Sequence, residues 1–145
     1  MKKFDTRDIR DVVLVAHGGA GKTSLAEAFL YDAKVTTRLG SVDEGNSNLD
    51  YEPEEIRRKI TLSTAVASFE WKKVKVNVLD TPGDTNFLVD TRASMAVADA
   101  AVIVISTPDG VQVGTEKVWQ YAEELALPRA IFLSKMDRER ASFET

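Results

Sequence analysis

Eight residues near the start of the chain, Ala16-His17-Gly18-Gly19-Ala20-Gly21-Lys22-Thr23, carry the densest chemical signal. They keep the spacing of a Walker A phosphate loop, with Ala16 in place of the first glycine. Gly18, Gly19 and Gly21 let the chain curl so that successive N–H groups converge on an anion. A helix beginning there adds the positive end of its dipole. His17, Gly18, Gly19, Ala20, Gly21, Lys22, Thr23 and Ser24 are therefore expected to line a bound nucleotide. Lys22 is placed to reach the β- and γ-phosphates, and the Thr23 hydroxyl to hold Mg²⁺. His17 has no carboxylate adjacent in sequence, so a backbone-bonded loop histidine is favoured over a general base.

Two further corners follow, each after a strand. In Asp80-Thr81-Pro82-Gly83-Asp84 an acid at a strand end is suited to Mg²⁺, often through water, and Gly83 to a close approach by a γ-phosphate. In Ser134-Lys135-Met136-Asp137 the Asp137 carboxylate can accept from guanine N1–H and the 2-amino group. Adenine lacks that donor pair. The stem of Lys135 would cover the base, with Ser134 beside it. Any one of these segments alone also reads as an ordinary turn or helix start; their order along the chain is what points to a nucleotide.

The elements that must position these corners are legible in the hydrophobic periodicity. Val12–Ala16 is a short apolar run suited to a strand buried on both faces. Leu25, Ala28 and Phe29 then share a helix face that ends by Asp32. Residues 35–60 read as a long polar loop with a short helix after Pro53, and loops of that length are usually functional or disordered. Leu62, Thr64 and Val66 mark a second strand and Val74, Val76 and Val78 a third, joined by a turn at Glu70–Lys72 and paired antiparallel. Phe87–Asp99 is expected to be helical, Ala101–Ile105 a strand, the face of Val118, Ala122 and Leu125 a helix, and Ala130–Leu133 a strand. Five strands alternating with helices give an α/β fold, a mostly parallel sheet with helices on both sides.

Composition narrows the function classes. At 145 residues, 43% apolar and 29% charged, the chain has the make-up of one folded domain. A net charge of −4 disfavours wholesale coating by nucleic acid, and no direct sequence-specific nucleic-acid binding is expected. With no cysteine and one histidine, disulfide scaffolds and thiolate metal sites are excluded. The longest apolar run, Ala100–Ile105, is too short to span a bilayer, and the start MKKFDTRDIRD lacks a signal's apolar segment. A cytoplasmic protein without membrane contact is expected.

Taken together, these residues resemble the GTP-binding domain of translational GTPases, most closely elongation factor G. AHGGAGKTS is similar to that family's phosphate loop, DYEPEEIRRKIT stands at its first switch, and DTPGDTNF at its second. GVQVGTEKVW and LPRAIFLSKMDR resemble two further stretches; Gln112, Trp119 and Pro128 within them are not demanded by nucleotide chemistry. The resemblance implies a P-loop NTPase fold of the translational GTPase type, a three-layer α/β/α sandwich. It implies GTP or GDP with Mg²⁺ as ligands. Thr61 corresponds to the switch threonine that ligates Mg²⁺ and senses the γ-phosphate, so the implied metal set is Thr23, Thr61 and Asp80. It also implies GTP hydrolysis, a phosphoryl transfer to water with Lys22, Gly83 and Asp84 as the candidate catalytic residues, stimulated by the ribosome through a full-length parent.

Four departures qualify the resemblance. Asp84 stands where the family has the histidine that positions the attacking water, so its carboxylate would either repel the γ-phosphate or need a proton. Lys59 replaces a glycine of the first switch, and Ser134 the asparagine of the guanine reader. Finally, the sequence ends at Thr145, just past that reader, so residues 1–145 are expected to be a C-terminally incomplete G domain from the N-terminal part of a larger protein. The uncovered sheet edge is then a solubility liability. The leading expectation is a GTPase; the alternative is a guanine-nucleotide switch with little hydrolysis because of Asp84. An ATP-using enzyme is disfavoured by Asp137, and a purely structural module fits three ordered motifs worst.

Overall fold

The computed structural model describes residues 3–139 and 141–143. Met1, Lys2 and Thr145, which entered the reading of the two ends, lie outside the described residues. The elements run in the order β1 (Ile9–Val15), α1 (Lys22–Asp32), α2 (Pro53–Arg58), β2 (Ala65–Trp71), β3 (Val74–Asp80), α3 (Leu88–Val97), β4 (Ala100–Ser106), α4 (Val113–Glu124) and β5 (Arg129–Ser134), with 3₁₀ turns at Thr6–Asp8 and Thr85–Phe87. The five strands form one sheet in the order β2-β3-β1-β4-β5. β3, β1, β4 and β5 are mutually parallel, and β2 pairs antiparallel with β3.

Alternation along the central strands divides the core between the two faces of the sheet. Val13, Val15, Leu79 and Ile103 pack with Met95 of α3 and Val118 and Ala122 of α4. Leu14, Val78 and Val104 point the other way, onto Leu25 and Ala26 of α1. The expected three-layer α/β/α architecture is therefore present, with α1 on one face and α3 and α4 on the other. Every catalytic candidate lies at the C-terminal ends of the parallel strands, where open α/β sheets place their ligands.

Several boundaries differ from those expected. β1 begins three residues earlier, at Ile9, because Ile9, Arg10 and Asp11 pair with Lys75, Val76 and Asn77. β2 begins at Ala65, not Leu62, and its inward face is opposite to the expected one: Ala65 is buried and Val66 exposed. Small residues line that face because Phe29 of α1 lies over it, against Phe69. The hairpin turn is Lys72-Lys73, not Glu70–Lys72, with positive φ at both lysines, as the twist of a two-residue turn requires. The helix expected over Phe87–Asp99 is shorter, Leu88–Val97, with the 3₁₀ turn ahead of it.

The polar stretch 35–64 is ordered by carboxylates, the buried Glu55 and the half-buried Asp90 among them. Glu55 in α2 accepts from the amides of Leu62 and Ser63 at 2.9 and 3.3 Å and from that of Glu52 at 3.2 Å. Asp90 of α3 accepts from the Thr64 amide and hydroxyl at 2.8 and 2.9 Å. The short helix expected after Pro53 is α2, and Pro53 occupies its first turn, where no N–H is needed.

Candidate functional site

The loop between β1 and α1 turns on Gly19 and Gly21, both at positive φ, and delivers Lys22 and Thr23 to the first turn of α1. A cleft of about 750 Å³ opens above it. Its lining brings together Gly18, Gly19, Gly21, Lys22, Thr23 and Ser24 from the loop, Thr61 and Lys59 from the polar stretch, Gly83 and Asp84 from the end of β3, and Ser134, Lys135 and Asp137 from the end of β5. Three predicted residues do not line it. Asp80 lies beneath, wholly buried; Ala20 is packed in the core and reaches the site only through its carbonyl. The His17 ring leaves the cleft because its Nδ1–H donates to the Gly18 carbonyl at 2.7 Å. Its backbone faces Lys22, whose Nζ donates to the His17 carbonyl at 3.2 Å.

At the foot of the cleft four oxygens form a row. Thr23 Oγ1 donates to Asp80 Oδ2 at 2.7 Å, Thr61 Oγ1 donates to Asp50 Oδ1 at 2.9 Å, and the two hydroxyl oxygens lie 3.0 Å apart. Two hydroxyls carry two protons, so with both carboxylates ionised one of the three contacts has no proton in it. The other oxygens of these carboxylates, Asp80 Oδ1 and Asp50 Oδ2, are buried without a partner. The ammonium of Lys22, only 5% exposed, stands near them. Burial pushes the Asp80 carboxyl up to about 7, against the hydrogen bond from Thr23 and the charge of Lys22. Burial likewise raises Asp50 and lowers Lys22. A hard cation would supply what the row lacks: positive charge shared by hydroxyl and carboxylate lone pairs. The donor set fits Mg²⁺, which takes few protein oxygens and completes its shell with water and phosphate.

Gly83 closes the other side. A Cβ there would lie 2.7 Å from the His17 carbonyl oxygen and 2.8 Å from Gly18 Cα, and closer still to Lys22 Nζ. Only glycine lets the end of β3 come this near the loop. The Asp84 carboxylate is engaged locally: it caps the 3₁₀ turn by accepting from the Asn86 amide at 2.9 Å and from Asn86 Nδ2 at 2.8 Å. At the far end of the cleft the Ser134 hydroxyl donates to the Ala20 carbonyl at 2.6 Å, tying β5 to the phosphate loop. Lys135 sits at φ 56° with its ammonium 3.5 Å from Asp109, and the Asp137 side chain is 83% exposed.

Sequence reasoning missed Asp50, Glu27 and Glu55, all buried. Asp50 and Glu55 fall within the stretch 35–60 that reads as a long polar loop. A signal existed for Glu27, which lies one helical turn after Thr23 and three residues before Leu30, on the face that α1 turns inward. The non-nucleotide residues of the α4 region also receive a structural account. Gln112 and Thr115 form the capping box of α4. The Trp119 ring lies under the Arg129 guanidinium, 4.2 Å from it, and both side chains bond Glu123. The Pro128 carbonyl accepts from Ala101.

Residues 7–145 match the family model described as the elongation factor Tu GTP binding domain. Among curated proteins, the chain is 41% identical over 141 residues to the mitochondrial ribosome-releasing factor 2 of Yarrowia lipolytica, covering 97% of this chain and 18% of that protein. It is 38% identical to elongation factor G 2 of Borreliella afzelii, with 93% and 20% covered, and 42% identical to an elongation factor G-like protein of Mycobacterium tuberculosis, with 93% and 19% covered. A crystal structure from Thermus thermophilus superposes with a TM-score of 0.86 at 43% identity, over 89% of this chain and 20% of that one. A bacterial selenocysteine-specific elongation factor shares the fold, with a TM-score of 0.73 at 20% identity. The chain thus spans about a fifth of the length of these relatives. Among the described residues no helix is long and apolar enough to cross a membrane.

Proposed function

This chain belongs to the elongation factor Tu GTP-binding domain family, and from that premise we propose that its cleft binds Mg²⁺ with GTP or GDP and hydrolyses GTP. The observation that carries the reading is the buried oxygen row of Asp80, Thr23, Thr61 and Asp50, with two carboxylate oxygens left unpartnered, set beside buried Lys22 at the foot of the glycine loop. In this reading Thr23, Thr61 and Asp80 hold the Mg²⁺, which would supply charge neutralisation for the transferred phosphoryl group. Residues 18–24 cradle the phosphates, Lys22 neutralises their charge, and Gly83, which lies close to Lys22 Nζ, meets the γ-phosphate through its amide. Asp137 reads guanine, Lys135 covers the base, and Ser134 substitutes its bond to the loop for a longer amide. The chain serves, in this proposal, as the nucleotide domain of an elongation factor G-like protein that turns over GTP on the ribosome in the cytoplasm. Names of the relatives support the ribosomal setting, and one of them is mitochondrial.

Displacement of a fluorescent GDP analogue by GDP and GTP, with ATP inert, is the expected result. Equal displacement by ATP discards the guanine reading of Asp137. Hydrolysis is tested by Asp84→His, which replaces a locally bonded carboxylate by a side chain able to orient water and is expected to raise turnover. No gain over an already active wild type would remove Asp84 as an impediment.

A further inference from the structure

α1 carries a buried carboxylate that phosphate chemistry does not use. Glu27 is wholly buried one turn beyond Thr23. Its Oε1 accepts from the Ser47 hydroxyl at 2.7 Å and from the Asn48 amide, and its Oε2 accepts from Asn48 Nδ2 at 2.8 Å. Gly40 presses against the same carboxylate, so closely that a Cβ there would collide with it. The strap 40–50 is therefore bonded to α1 at Ser47 and Asn48 and packed against it at Gly40. Ser47 passes the attachment on, because its Oγ accepts from the amides of Leu49 and Asp50 at 3.1 and 3.2 Å. Asp50 in turn takes the Thr61 hydroxyl at 2.9 Å.

We propose that Glu27 is the positioning residue of this strap: by docking Ser47 and Asn48 onto α1 it sets Asp50, and through Asp50 it sets Thr61 against Thr23. The consequence for Mg²⁺ and the γ-phosphate rests on the nucleotide reading above. A carboxylate at residue 27 offers an acceptor on both oxygens, so the Ser47 hydroxyl, the Asn48 amide and Asn48 Nδ2 all donate to it. Burying that charge is tolerable only with its donors in place. Thr61 senses the strap through a single hydroxyl, so displacing the strap frees Thr61 without disturbing the glycine loop.

The test uses Asn48, which is exposed and can be changed without repacking. Asn48→Asp sets a second carboxylate against Glu27. Adding Glu27→Gln restores a donor–acceptor pair with the roles exchanged. Hydrogen exchange of the nucleotide-free chain is expected to rise on the order of tenfold at amides 48–50 in Asn48→Asp, where Glu27 and Ser47 are the acceptors, and to return in the double variant. Exchange in β1 and α4 stays unchanged. In parallel, Asn48→Asp is expected to weaken GTP with Mg²⁺ on the order of tenfold more than GDP, again with recovery in the double variant. Protection at 48–50 untouched by Asn48→Asp, an equal loss for GTP and GDP, or no recovery in the swapped pair, overturns the proposal. A wild-type chain that takes neither nucleotide overturns the reading of the cleft and the γ-phosphate half of this inference, whereas the exchange arm still decides the docking.

Discussion

A methyl group at residue 83 would fall 2.7 Å from the His17 carbonyl and 2.8 Å from Gly18 Cα, with Lys22 Nζ nearer still. Gly83→Ala must therefore push the end of β3 away from the loop or displace the lysine. We expect it to weaken GTP at least about tenfold, through loss of a charge-assisted contact, while GDP suffers less; competition against a fluorescent GDP analogue reads both. Asp80 makes a pH prediction. Its carboxyl is raised to about 7 by burial, above an ordinary value of 3.8. Between those pH values the native chain binds more protons than the unfolded chain, so the stabilisation present below pH 3.8 is lost as pH rises toward 7. Denaturation of the nucleotide-free chain across that window should show falling stability, and Asp80→Asn should flatten the slope. The carboxylates at 80 and 84 look alike in the sequence. Only their partners, Thr23 below the cleft and Asn86 on a surface turn, tell them apart.

The element that departs most from a regular pattern is the stretch around α2. Its helix ends on Lys59 at φ 57°, the left-handed conformation that follows many helices and that glycine adopts without strain. A lysine there accounts for the place of glycine in the resembling switch: the backbone keeps the shape and the side chain bears its cost. Lys59→Gly is expected to stabilise the fold by up to about 1 kcal/mol, measured by urea denaturation, and it also removes a cation from the cleft lining. Strand and helix identities elsewhere followed from apolar periodicity. The stretch 35–64 did not, because its order comes from carboxylates bonding amides across the fold rather than from any repeat.

For the whole molecule, the sheet ends on β5, an edge strand with Ile131 55% and Phe132 41% exposed. An uncovered apolar edge invites pairing between copies. We expect the chain to self-associate as concentration rises, and Ile131→Lys to suppress this; light scattering across a dilution series decides, and an unchanged profile assigns any association to another surface. β5 also holds the guanine-reading corner, and Ser134 joins it to the phosphate loop by a bond spanning 114 residues.

Local chemistry, written in short segments, was determined by the sequence: the glycine loop, the Asp-Thr-Pro-Gly turn, the Ser-Lys-Met-Asp corner, and alternating strands and helices to carry them. These are legible because each depends on residues within a few positions of one another. Tertiary structure alone decided which face of β2 turns inward, that the His17 ring leaves the cleft, and that Asp50, Glu27 and Glu55 are interior ligands of backbone and hydroxyl groups. For the histidine and the carboxylates the physical reason is shared. A polar side chain takes its role from the partner that desolvates and bonds it, and here those partners are brought together only when α1, the strap and the sheet have packed.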